Sequence, residues 1–192
     1  LIFEVRGLPH DQEAQASGDS WRRGMDQRLG TSIGAVVHAE DGYLLLTSDY
    51  SNARAFDRAG KEVKAWKGSE NHFQNFVDAV RKQDASLVRA QVQDGHVSAG
   101  LFHMGNDSLA VGKTASRDEI ERAVASEPLL AHAFDRMMAH LDLNGIDLAK
   151  TPLTFGAALH FDTTTGRYID NDAANRHMRG VYAKGFEVPE IS

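Results

Sequence analysis

The spacing of apolar residues changes character about a third of the way along the chain. From Ser32 to Trp66 it is strand-like: SIGAVVHAE turns through Glu40-Asp41-Gly42 into YLLLTS, and ARAFD turns through Arg58-Ala59-Gly60 into KEVKAW. Period-two alternation bounded by Asp-Gly or Ala-Gly turns predicts two β-hairpins. The opening LIFEVRGL also alternates, with Glu4 and Arg6 between apolar neighbours ahead of Gly7 and Pro9, and reads as a further strand of the same sheet. Residues 9–31, rich in Gly, Asp, Gln and Arg, read as a long polar loop anchored by Trp21 and Met25.

Beyond Trp66 the period lengthens. Phe73, Phe76, Val77 and Val80 fall at i, i+3, i+4 and i+7, one face of a helix over 71–82. Asp94-Gly95 opens a helix to about Val111. Ser116 and Glu119 have capping-box spacing ahead of a short helix. Leu129, Leu130, Ala133, Phe134, Met137, Met138 and Leu141 stripe another helix, which Gly145 is placed to stop. In the tail, LHFD and RYI flank a Thr-Thr-Thr-Gly turn, a short helix spans about 172–178, and a last strand lies near Phe186.

Strands first and helices after predict an α+β fold, a mainly antiparallel open sheet with helices packed on one face. Val36, Leu44 and Leu46 either dress the open face or point into the helix layer. The 192 residues fit one domain, 1–192; with 42% hydrophobic and 25% charged residues, the balance is that of a globular chain. A net charge of −6 argues against a nucleic-acid surface, and no apolar run is long enough to span a membrane. With no cysteine there is no disulfide or thiolate chemistry, and localisation stays open. A start inside a strand suggests a domain excised from a longer chain.

As an ordered set, LIFEVRGL, GYLLLTS, AFDRAGKEVKAW, NHFQNFVDAVRK, DGHVSAGLFHMGN, KTPLTFGAALHFD and DNDAANRHMRGVY cover nearly the whole sequence. The set resembles the C-terminal part of the glucose-fructose oxidoreductase, inositol dehydrogenase and rhizopine-catabolism oxidoreductase family, in the branch abundant in planctomycetes and related bacteria. The resemblance implies a parent with two domains. An N-terminal Rossmann domain would bind NAD or NADP, and this C-terminal domain would supply an open sheet, part of the pocket for a sugar or cyclitol, and a homo-oligomer interface through the sheet face. The family's Gly-rich turn, Glu-Lys-Pro motif and Asp-x-x-x-His pair do not occur here, and no strand-to-helix junction carries GxGxxG. The expectation is a piece without cofactor of its own, inactive alone, that partners its own Rossmann domain. The alternative is a stand-alone carbohydrate- or protein-binding scaffold without catalysis.

Three residues are candidates for substrate contact. His96 lies in the first turn of the helix that Asp94 can cap, where the helix dipole favours a neutral imidazole able to bond a sugar hydroxyl; packing at a helix start is the plainer role. His72 belongs to the NHFQNF segment, where capping by Asn71 and a loop contact by Asn75 compete with a substrate role. Arg6 can hold a carboxylate of an acidic sugar or of the protein itself. His96 and His103 lie two turns apart, too far for one ion, and with Gly100 they suggest a close-packed stripe. Gly112-Lys113-Thr114 lacks the preceding Gly of a phosphate loop, and Asp142-Leu143-Asn144-Gly145 reads as a helix end rather than a calcium loop.

Overall fold

The computed structural model describes residues 1–18, 24–49, 51–178 and 182–187. Trp21, expected to anchor the first loop, lies outside the described residues. The class is α+β, with a four-stranded antiparallel sheet and, among the described residues, six α-helices. The chain divides into two compact units: residues 2–91 with 132–146, and residues 92–131 with 147–192 and Leu1.

The sheet belongs to the first unit. Its strands run in chain order, β1 (Ala35–Ala39), β2 (Gly42–Leu46), β3 (Asn52–Asp57) and β4 (Glu62–Lys67). Both predicted hairpins form. The two-residue turn after Ala39 pairs it with Gly42 and fixes the rest of the register, Val37 opposite Leu44 and Val36 opposite Leu45. Directly opposed residues share a face and successive ones alternate. Val36 therefore lies on the face of buried Leu45, whereas Leu44 and Leu46 share the other face with Val37. This corrects the grouping of Val36 with Leu44 and Leu46. Gly42 is obligatory for a local reason: a Cβ there would run into the Phe56 carbonyl on β3.

The opening segment is not a strand. Among the described residues, residues 1–7 belong to no strand, and the alternation runs opposite to that of a core strand. Phe3 and Val5 are exposed while Glu4 and Arg6 turn inward. Charge is what holds it, because the Glu4 carboxylate collects three arginines. The following loop contains α1 (Gln12–Ala16), whose N-cap Asp11 accepts from the Ala14 amide. Helix α2 (His72–Lys82) starts at the N-cap Asn71, and Asn75 bonds the Leu87 carbonyl and the Arg89 amide. Its apolar stripe is not covered: Phe73, Phe76 and Val80 are exposed, and Ala79, off that stripe, is the buried residue. From α5 (Pro128–Leu143) this unit takes Ala133, Phe134, Met138 and His140, all buried. Gly145, at φ +67°, ends that helix as expected.

The second unit is built on α3 (Val92–Ala110), which starts two residues before Asp94, so Asp94 sits inside the first turn instead of capping it. A three-residue pairing, β5 (Lys113–Ala115) with β6 (Leu153–Phe155), and a two-residue hairpin, β7 (Phe161–Asp162) with β8 (Arg167–Tyr168), complete it with two helices. Helix α4 (Arg117–Val124) carries the full capping box of Ser116 and Glu119 and buries Ile120 and Val124. Helix α6 (Asp172–His177) is capped by Asn171. No strand forms at Phe186, which is exposed after a turn. No helix among the described residues is long and apolar enough to cross a membrane.

Candidate functional site

The densest polar chemistry lies in the first unit, where the opening segment meets α5. Residues four apart on a helix share a face; Arg136 and His140 stand at that spacing on α5, and Asn144 follows four residues on, just past the helix end. Facing them are Glu4, Arg6 and His10, and Asp26 from the following loop. Arg6 donates through Nη2 to Glu4 Oε2 (2.9 Å), Arg28 through Nη1 to Oε1 (3.1 Å), and Arg136 through Nε to Oε2 (3.3 Å) and Nη2 to Oε1. Burial pushes the Glu4 carboxyl up, but the Arg136 hydrogen bond and the charges of Arg136, Arg6 and Arg28 outweigh it and hold the carboxyl below its usual range.

Asp26 is the second focus. Its Oδ2 lies 3.4 Å from Arg6 Nε and 3.7 Å from His140 Nδ1, and its Oδ1 lies 3.6 Å from His10 Nδ1. His140 is 5% exposed. Burial lowers its pKa, more strongly than Asp26 raises it, so the ring is neutral at neutral pH. Among the described residues, the buried side-chain atoms left without a formed hydrogen bond are Arg6 Nε, both ring nitrogens of His140, and Asn144 Oδ1. All belong to this cluster. Buried polar atoms are normally satisfied, so these four stand out, and two of them, Arg6 Nε and His140 Nδ1, face the Asp26 carboxylate at ion-pair distance.

Of the residues singled out from sequence, only Arg6 is part of this cluster. It holds Glu4 and faces Asp26, the carboxylate-binding role in its intramolecular form. His72 is exposed at the start of α2, its ring 4.1 Å from that of Phe73. His96 belongs to the other unit, exposed as the fifth residue of α3. The expected stripe of His96, Gly100 and His103 is not packed: both histidines are exposed, nothing approaches a Cβ built on Gly100, and His103 lies against its neighbour Phe102. Asp26 and His140 were missed and Asn144 was read only as part of a helix end, although the i, i+4 spacing of Arg136 and His140 was there to be read.

No family model, curated protein or solved structure matches the chain. What it can bind must be judged from its own residues. Every strand pair among the described residues is antiparallel, so they form no parallel βαβ unit of the kind that cradles a dinucleotide. No group of three or more His, Asp or Glu among the described residues is spaced for a metal ion.

The second unit has a polar centre of another kind. Tyr168 donates to Asp107 Oδ2 (2.6 Å), and its backbone is clamped by Asn175, which accepts from its amide and donates to its carbonyl. Burial, then the Asp107 bond and charge, push the phenol above its ordinary range. Each of these groups has its partner, which is the pattern of a structural network.

Proposed function

We propose that this chain is the substrate-side and oligomerisation domain of an NAD(P)-dependent oxidoreductase that acts on a sugar or cyclitol by hydride transfer, the dinucleotide being held by a separate Rossmann domain. The observation that carries the substrate half is the convergence of incompletely bonded, buried donors and acceptors on Arg6, His140 and Asn144. A polyol presents hydroxyls that each donate and accept, the complement of a guanidinium, an imidazole and an amide oxygen. Arg28 and Arg136, partly exposed beside Glu4, give that cluster a solvent-facing side. The open sheet, with Val37, Leu46 and Trp66 in solvent, supports the oligomerisation half.

The test is calorimetric titration of this chain, beside a longer reading frame that includes an upstream nucleotide-binding domain, with NAD(H), NADP(H) and a neutral cyclitol. The proposal expects cyclitol binding by the chain that His140→Leu weakens, and nucleotide binding by the longer form alone. Nucleotide binding by the chain itself would refute the assignment. The exposed sheet also favours a second reading, a scaffold domain that binds carbohydrate or protein without turnover. Polyol binding with no in-frame Rossmann segment upstream would select it.

A further inference from the structure

The two edges of the four-stranded sheet are built differently. The outer strand β4 carries Glu62, Lys64 and Lys67, and its pairing with β3 slips by one residue between Ala55 and Phe56. Charges and bulges on an edge are the usual means of preventing strand addition. At the other edge β1 reads Ala-Val-Val-His-Ala, with no charged residue and with five unbroken pairs to β2. Four of its residues are exposed, Val37 by 52%. No backbone or side-chain hydrogen bond among the described residues reaches its outer side. An antiparallel edge leaves alternate N–H and C=O groups pointing outward, a template for another strand.

We infer that β1 pairs antiparallel with β1 of a second copy of this chain, about a two-fold axis through Val37. A second copy offers the same uncharged edge, and the strand's own sequence sets the register. That axis sets Val37 against Val37, Val36 against His38 and Ala35 against Ala39, so all five residues pair, each with one from the same face, and no like charges oppose. Moving the axis to Val36 pairs only residues 35–37. Moving it to His38 pairs only residues 37–39 and sets histidine against histidine. The four strands of each copy become one continuous antiparallel sheet, and the Val37, Leu44 and Leu46 stripe runs across the axis unbroken. An isologous contact of this kind closes on itself as a dimer.

The inference deepens the oligomerisation half of the proposed function, and cysteine cross-linking tests both separately. The chain contains no cysteine, so each introduced thiol reports alone. Directly opposed Cβ atoms lie roughly 4.5–5.5 Å apart, within reach of a disulfide after a small adjustment. Val37→Cys is expected to oxidise to a species of doubled mass. Ala35→Cys and Ala39→Cys are expected to cross-link to each other when mixed and far less when alone, and Lys64→Cys on the opposite edge is expected to stay single. Wild-type sedimentation accompanies them, as a readout independent of any variant's folding. A dimer that cross-links through Trp66→Cys but not Val37→Cys would overturn the β1 pairing while leaving oligomerisation standing. A wild-type chain that sediments as a monomer at millimolar concentration would overturn both.

Discussion

Replacing Glu4 by Gln keeps the side chain's size and removes its charge, and the structure sets the expected cost. The carboxylate accepts from Arg6, Arg28 and Arg136, with arginine side-chain exposures of 17%, 38% and 33%. Each hydrogen bond to a charged group contributes about 1.5–3 kcal/mol when its partners cannot turn to water. Arg28 and Arg136 can do so, and exposed ion pairs contribute roughly 0–1 kcal/mol. Only the Arg6 bond therefore counts in full, and the total loss is about 1.5–5 kcal/mol. Urea unfolding at pH 7 measures it, and a double-mutant cycle with Arg136→Met isolates one pair. A pH series adds a second check. Because the folded carboxyl sits below its ordinary value, its stabilisation is present above the unfolded pKa and lost as pH falls through the folded one. Glu4→Gln must flatten that acid limb. A loss under about 0.5 kcal/mol, the range of an ordinary surface substitution, would show that the arginines do not depend on Glu4 and that charge does not hold the opening segment.

His140 has the opposite charge type and its own window. Its folded pKa lies below the ordinary 6.5, so the unfolded chain takes up the proton first, and stability falls as pH drops below about 6.5 towards the folded value; His140→Leu should reduce that slope in urea midpoints taken between pH 7.5 and 5.5. Removing the α4 cap with Ser116→Ala should cost about 1 kcal/mol, read as a urea midpoint shift that Ser116→Asp largely restores; no shift would mean the capping box is incidental. Tyr168 should ionise above the ordinary range of a phenol. Absorbance titration at alkaline pH should show a late phase that Tyr168→Phe abolishes, and a single phase near 10 in the wild type would contradict its burial against Asp107.

Local chemistry was legible and distant pairing was not. The hairpin turns at Asp41-Gly42 and Ala59-Gly60, the Ser116 to Glu119 box and the stop at Gly145 all rest on residues within a few positions of one another, and all form. The β5–β6 ladder joins three-residue segments some forty positions apart, too short for alternation to register. The opening segment has the alternation of a strand but is not assigned to one, and Arg136, 132 positions downstream of Glu4, helps to fix it. The candidate site fell into the same gap. Arg6 stood out as a carboxylate holder, whereas the meaning of His140 depends on Asp26 and on burial, which only the folded chain provides. The stripe on α2 was legible as a helix, but its expected burial was not met.

That stripe has a thermodynamic consequence. Phe73, at 73% exposure, with Phe76 and Val80, already meets water before unfolding begins. Only surface newly hydrated on unfolding enters the denaturant slope and the heat-capacity increment. The first unit should therefore unfold with a shallower urea dependence and a smaller heat-capacity step than its residue count implies, and each should steepen under any condition in which α2 finds cover.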